Sequence, residues 1–194
     1  MINLLMGFFI ATLITELFTT RLFRLIMWYS LNSLFLGLIA IYNGYLINDK
    51  AMLITGIITL LVKFIAIPYI LKYFFLKFNI SRNIKPGLSI QYAVIIVPIV
   101  LVFTFYLITP LFADFIHSNY VALSISALML SLLLMIEHKN IAAKIIGFLS
   151  IENSLFLLGI SATEGMPMLV ELGIFVDLLM LIVIINILFK YQGE

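Results

Sequence analysis

Runs of continuous apolar residues, each about 20 residues long, alternate with short polar segments along the chain. A helix needs about 20 mostly apolar residues to cross a hydrocarbon core about 30 Å thick. Strands of a membrane β-barrel would alternate polar and apolar residues, and these runs do not. The pattern predicts an all-α integral membrane protein, a bundle of seven transmembrane helices over Ile2–Thr20, Leu25–Leu46, Ala51–Leu76, Leu88–Phe112, Asn119–Ile136, Asn140–Ala162 and Pro167–Phe189.

The lysines and arginines of the connecting segments lie almost entirely on one side of the predicted bundle. Nine of them lie on the side reached after spans one, three and five, in the loops, near the ends of the adjoining spans or in the C-terminal tail, and the opposite side holds only Lys50. Positively charged loops face the cytoplasm. An outside N-terminus and a cytoplasmic C-terminus are therefore predicted from Arg21, Arg24, Lys72, Lys77, Arg82, Lys85, Lys139, Lys144 and Lys190.

The first apolar run differs from a secretory signal peptide. No basic segment precedes it, and it carries Glu16, whereas a signal peptide has a basic segment followed by an uninterrupted apolar one. We therefore expect a retained helix. Glu16 lies near its cytoplasmic end, close in sequence to Arg21 and Arg24, and we expect an interfacial ion pair there.

Composition narrows the function classes. Hydrophobic residues make up 64% of the chain and charged residues 10%, against about 45–50% and 25% in soluble domains. The absence of cysteine excludes disulfides and cysteine-held iron–sulfur or zinc sites, and two isolated histidines predict no metal site. A net charge of +2 is too small to indicate nucleic acid. No phosphate-binding loop or nucleophile motif is present, so we expect no catalytic residue and no cofactor in this chain.

Glu152 lies near the middle of the predicted sixth span. A carboxylate at mid-bilayer costs about 2.5–3.5 kcal/mol on insertion scales, so it is rarely present without a role. The favoured interpretation is a group that binds and releases protons or ions. The alternative is a protonated glutamic acid that only hydrogen-bonds a neighbouring helix. Asn153 can extend a polar path or bind water, and Asn32 is a polar residue that can join helices.

Three further charges lie inside predicted spans. Glu171 and Asp177 are about 9 Å apart along the seventh span and project from different faces. Lys63 is central in the third span, where it needs a carboxylate partner, a water cavity or a depressed pKa. It is either a proton-relay lysine or half of a structural ion pair. Pro68, five residues later, frees the carbonyl near Phe64.

Two weaker signals remain open. Asn32-Ser33-Leu34-Phe35-Leu36 in span two recurs as Asn153-Ser154-Leu155-Phe156-Leu157 in span six, which a duplicated helical unit would produce. Five residues in a Leu- and Phe-rich sequence are also a small match. Glu137 and His138 flank a cytoplasmic loop and are expected to be solvated, with proton uptake as the alternative.

The C-terminal third resembles the hydrogenase-4 component E family, a membrane subunit of complex-I-like group 4 [NiFe]-hydrogenases. The resemblance is carried by Gly147-Phe148-Leu149-Ser150-Ile151-Glu152-Asn153 and by Gly165-Met166-Pro167 with Val170-Glu171-Leu172-Gly173 and Asp177; the stretch around Lys63 and Pro68 is also similar. That family is in turn similar to the three-helix subunit K of complex I, whose membrane glutamates match Glu152 and Glu171. Asp177 has no clear counterpart there.

The resemblance implies two regions, four helices over 1–118 and a subunit-K-like unit over 119–194. It implies a non-catalytic subunit that contributes Glu152, Glu171, Asp177 and Lys63 to redox-coupled proton or sodium translocation. The expected partners are other membrane subunits, including antiporter-like ones, in a prokaryotic cell membrane. A subunit of a multi-chain cation/proton antiporter and a structural scaffold are the alternatives.

Overall fold

Nearly the whole described part of the chain is helical. The structure, a computed structural model, describes residues 1–77, 83–84, 90–111 and 118–162, and helices take up 91% of them. They are α1 (Ile2–Leu17), α2 (Leu22–Leu46), α3 (Lys50–Thr59), a π-helical segment (Leu60–Ala66), α4 (Ile67–Lys77), α5 (Ile90–Leu111), α6 (Ser118–Glu137) and α7 (Ile141–Ala162). The α3, π-helical and α4 segments follow one another without a break and form one span, Lys50–Lys77.

These helices confirm the all-α class and indicate a multi-pass membrane protein. Within the described residues, five are long and apolar enough to cross a bilayer, and Ile2–Leu17 is a shorter apolar helix. The predicted seventh span, with Glu171 and Asp177, lies outside the described residues. The number of spans and the orientation of the termini therefore stay predictions.

Two helical hairpins form the centre of the structure. The α1 helix packs against α2, and α6 packs against α7, while α1 also contacts α6 and α2 contacts α7. The span Lys50–Lys77 lies against α2, and α5 lies against α6. Large side chains that are almost fully buried fill the spaces between the central helices, among them Phe9, Leu13, Tyr29, Leu36 and Leu130.

Glycines bring α2 and α3 unusually close. A Cβ atom added to Gly44 would lie 2.9 Å from the backbone nitrogen of Leu53, and one added to Gly56 would lie 2.9 Å from that of Ile41. Real Cβ atoms do not approach backbone so closely, so only glycine fits at these two positions. Between these helices Asn48 adopts a left-handed conformation (φ 56°), which asparagine tolerates better than most residues.

The π-helical segment has a local cause in Pro68. Proline has no backbone N–H, so the carbonyl of Phe64 cannot accept the usual helical hydrogen bond from that position. Ser30 of α2 donates its hydroxyl to this carbonyl at 2.8 Å. Just before Pro68, the N–H of Ile67 donates to the carbonyl of Val62, five residues back, as in a π-helix. The freed carbonyl predicted from the sequence thus becomes an attachment point between two spans.

Candidate functional site

One face of α7 carries a row of buried polar side chains. Ser150, Asn153 and Ser154 are spaced three and four residues apart, which places them side by side on a helix. All three are fully buried at the junction of α7 with α1, α2 and α6. Because buried polar groups are costly unless they are hydrogen-bonded, this row requires partners on the neighbouring helices.

An amide pair joins α7 to α2 at the centre of this junction. The side-chain nitrogen of Asn153 donates to Asn32 Oδ1 at 3.1 Å and to Ser33 Oγ at 2.9 Å. The nitrogen of Asn32 donates onward to Thr12 Oγ1 at 3.1 Å and to the carbonyl of Phe9 at 3.0 Å. The two asparagines expected as supporting polar residues therefore contact each other, and they connect three helices.

Glu16 belongs to the same buried junction, which corrects the expected interfacial ion pair. Its side chain is fully buried, and Ser150 donates its hydroxyl to Glu16 Oε2 at 2.7 Å. Arg21 and Arg24 are exposed, and Glu16 pairs with neither. The helical period explains the outcome, because Glu16 lies one turn after Thr12 and so shares the face that meets α2 and α7. Among the described residues, no group donates a hydrogen bond to Glu16 Oε1.

Serine pairs connect α6 to α7 beside this cluster. Ser131 and Ser154 have their hydroxyl oxygens 2.7 Å apart, and those of Ser124 and Ser161 are 3.0 Å apart. Each of the four hydroxyl oxygens also lies within hydrogen-bond distance of the carbonyl four residues earlier in its own helix, so in each pair one hydroxyl donates to that carbonyl and the other donates across the pair. A Cβ added to Gly147 would lie 2.9 Å from Met135 Cα, which shows how closely these helices approach.

Glu152 is buried, with 8% of its surface exposed, in the middle of α7. Consecutive residues of a helix point about 100° apart, so Glu152 leaves α7 on a different side from Asn153. Asn153 and Glu152 are therefore adjacent in sequence but face different parts of the molecule. Lys63 is also buried, 5% exposed, on the π-helical segment beside α2.

The turn between α6 and α7 is less solvated than its sequence indicates. Glu137 is 4% exposed and His138 is fully buried, which corrects the expectation that both are solvated. His138 Nδ1 lies 3.0 Å from the carbonyl of Leu134. Only three residues separate α6 from α7, so the end of α6 stays packed against its neighbour and cannot extend into solvent. Lys139 and Lys144 are exposed, as expected.

No protein-family model, curated protein or solved structure matches this chain. Within the ranges that the structure describes, no three His, Asp or Glu side chains come together in a way that could hold a metal ion. The chemistry of the site is therefore read from its own groups. Carboxyls can bind and release a proton, and hydroxyls can donate and accept a hydrogen bond at once.

Sequence reasoning missed Glu16 and Ser150 as members of the site. The local sequence favours other roles for both: two arginines follow Glu16, and Ser150 lies in the run that resembles the component E family. A signal is present in the spacing of Thr12 and Glu16, four residues apart in a largely apolar helix. That spacing places two polar groups on one face, which in an apolar helix has to meet polar groups of a neighbour.

Proposed function

We propose that this chain is a membrane subunit of a complex-I-like hydrogenase or a related respiratory complex in a prokaryotic cell membrane. In this function its buried carboxyls take part in proton or sodium translocation that is coupled to a redox reaction in other subunits. The chain has no cysteine, so cysteine-bound redox centres would belong to partner chains.

The observation that carries the proposal is the burial of Glu152 in the middle of an apolar helix. A charged group in the hydrocarbon region is expensive, and such groups usually mark an ion path. The charge on a buried carboxyl depends strongly on its surroundings, so its protonation can be linked to movement of a neighbouring group. Lys63 adds a second buried titratable group in a different span.

A relay formed by Glu152, Lys63, Glu171 and Asp177 is part of this proposal. Glu171 and Asp177 enter through the sequence resemblance, since they lie outside the described residues. In the relay, Glu152 and Glu171 are the central proton-carrying groups, and Lys63 and Asp177 are further relay groups. Antiporter-like membrane subunits are the partners that such a relay requires.

A structural scaffold is the second candidate, and the hydrogen bonds around Asn153 favour it. The amides of Asn32 and Asn153 and the serine pairs connect helices α1, α2, α6 and α7 directly. Interhelical hydrogen bonds of this kind hold membrane bundles together without any transport role. A subunit of a cation/proton antiporter remains the alternative transport function; the chains that co-purify in mild detergent would separate it from a hydrogenase.

Substitution of Glu152 tests the proposal. Glu152→Gln keeps the size and hydrogen-bonding capacity of the side chain but removes the titratable group, so assembly should survive while proton coupling falls. Glu152→Asp keeps the carboxyl and should retain part of the activity. Since positioned proton-transfer groups contribute about 10²–10⁴-fold, a loss of at least tenfold is expected for the glutamine variant. The measurement is redox-driven proton translocation in membrane vesicles, with assembly followed on native gels.

Ser126→Ala is the matched control for this experiment. Ser126 is fully buried in α6 and donates only to the carbonyl of Ala122 in its own helix. It should assemble and translocate protons as the unmodified protein does. If Glu152→Gln assembles normally and also translocates at the unmodified rate, the scaffold function is correct and the proposed relay is wrong.

A further inference from the structure

The five-residue echo in α2 and α7 can be extended over both hairpins at a constant offset of 121 residues. Aligning residues 1–41 with 122–162 at this offset gives eight identical pairs, five of them in the echo itself. The other three pairs are Leu13 with Leu134, Glu16 with Glu137, and Ile39 with Ile160. The only carboxylate within α1 thus corresponds to the only carboxylate within α6, and the central asparagines of α2 and α7 correspond as well.

Burial follows the same offset. Glu16 and Glu137 are 0% and 4% exposed, and the residues after them, Leu17 and His138, are 2% and 0% exposed although their chemistry differs. Other corresponding pairs on both helices are buried in both copies, among them Met6 and Ala127, Phe9 and Leu130, Leu13 and Leu134, Leu22 and Ala143, Leu25 and Ile146, Asn32 and Asn153, and Leu36 and Leu157. The two hairpins thus bury corresponding faces along both of their helices.

The two copies also meet at corresponding residues. Asn32 and Asn153 are hydrogen-bonded to each other across the α2–α7 contact. The start of α1 lies beside the start of α6, where Tyr120 donates its hydroxyl to Asn3 at 2.7 Å, so the two hairpins run in the same direction. The two hairpins therefore lie side by side in the same direction, with α1 against α6 and α2 against α7.

We propose that α1–α2 and α6–α7 are two copies of one helical hairpin, and that Glu16 and Glu137 are the equivalent proton-binding carboxyls of these copies. Both lie in the last turn of the first helix of their hairpin. On the predicted topology this is the cytoplasmic side, so each carboxyl takes up a proton at the cytoplasmic end of the bundle. This proton role rests on the proposed function, whereas the repeat does not.

The surroundings of the two carboxyls support proton binding. Glu16 Oε2 accepts a hydrogen bond from Ser150, and Glu16 Oε1 and Glu137 Oε2 receive none from the described residues. An ionised carboxylate that is buried with an unsatisfied oxygen is strongly disfavoured, and binding a proton to that oxygen removes the charge. Binding a proton therefore stabilises each of these carboxyls in its buried position.

The two copies differ at the positions of Ser150 and Glu152. The counterpart of Ser150 is Tyr29, which is also fully buried, and the counterpart of Glu152 is Leu31. Only the α6–α7 copy keeps a carboxyl in the middle of its second helix. Glu16 of the first hairpin is hydrogen-bonded to Ser150 of the second. The carboxyl of the first hairpin therefore contacts α7, the helix that carries Glu152.

The test compares Glu16→Gln, Glu137→Gln and the double variant in the purified assembly. Infrared spectra in H2O and D2O report protonated carboxyls directly, and each single variant should remove one deuterium-sensitive carbonyl band. Ser150→Ala should shift the Glu16 band without removing it, because the carboxyl loses a hydrogen bond but keeps its proton. Redox-driven proton translocation should fall by about tenfold or more in each single variant, as expected for a placed proton-transfer group.

Glu152→Gln and Ser126→Ala complete the panel. If Glu152→Gln lowers translocation but the variants at Glu16 and Glu137 change neither the bands nor the rate, this inference is wrong and the proposed function stands. If the bands disappear while translocation is unchanged in every variant, Glu16 and Glu137 bind protons and the proposed function fails. A band at only one of the two positions contradicts their equivalence. If a glutamine variant does not assemble, the corresponding aspartate variant, Glu16→Asp or Glu137→Asp, should assemble and keep a shifted carbonyl band. Absence of that band would also contradict the proposal.

Discussion

At the scale of single residues, the buried polar side chains pair with one another. Asn153 of α7 donates a hydrogen bond to Asn32 of α2, and Asn32 donates one to Thr12 of α1. Water is scarce inside a membrane protein, so each donor must find a protein acceptor. The consequence is that polar residues in apolar helices specify which helices are neighbours.

A double-mutant cycle on the two asparagines measures this pairing. Asn153→Ala and Asn32→Ala should each lower the free energy of unfolding by about 1–3 kcal/mol, because each leaves buried partners unsatisfied. Their coupling energy should be about 0.6 kcal/mol and at most about 1.7, the range found for hydrogen bonds between membrane helices. The measurement is equilibrium unfolding in mixed micelles.

Ser126→Ala is again the control, since its hydroxyl bonds only within α6. Its combination with Asn153→Ala should be additive, because the two side chains share no partner. Additivity between Asn32→Ala and Asn153→Ala would show that the amides do not stabilise each other.

At the scale of helices, close approach and proline placement determine how the spans pack. Gly44 and Gly56 let the backbones of α2 and α3 touch, and Pro68 leaves a carbonyl that Ser30 binds. Both devices act between α2 and the span Lys50–Lys77. This span is therefore attached to the central hairpins by backbone contacts as well as by apolar side chains.

Alanine substitutions at the glycines test the close approach. Gly44→Ala and Gly56→Ala should destabilise the protein by about 1–3 kcal/mol each, as overpacking does, because the added Cβ meets backbone that cannot rotate away. Gly7→Ala is the matched control in a helix, since nothing lies within 4 Å of its added Cβ. It should be neutral or raise stability by up to about 1 kcal/mol through helix propensity. Thermal unfolding in detergent compares the three, and equal effects at all positions would refute the contact.

At the scale of the whole molecule, many apolar side chains of the described helices face outwards, while a cluster of polar ones is buried among the central helices. Side chains such as Ile99, Val102, Phe103 and Tyr106 of α5 are more than half exposed. In water this distribution would be unstable, whereas in a bilayer the exposed apolar surface meets lipid chains. The described spans therefore form a bundle suited to a membrane.

The orientation of this bundle can be tested with single cysteines, because the chain contains none. Lys50 and Asn83 are both exposed and lie on opposite sides according to the charge bias. Lys50→Cys should react with a membrane-impermeant thiol reagent in intact cells, and Asn83→Cys only after permeabilisation. The unmodified protein controls for background labelling, and the reverse pattern would show that the predicted orientation is wrong.

The sequence by itself determined the class of the molecule and the ends of most helices to within a few residues, since the length of an apolar run and its polar breaks are local properties. It also placed Glu152, Lys63 and the asparagines inside spans. Only the tertiary structure decided that Asn32 meets Asn153, that Glu16 turns towards Ser150 and not towards Arg21, and that Glu137 is buried. These outcomes depend on which faces of distant helices come together. The helical period of 3.6 residues determines which residues share a face, but it does not determine which helix packs against that face.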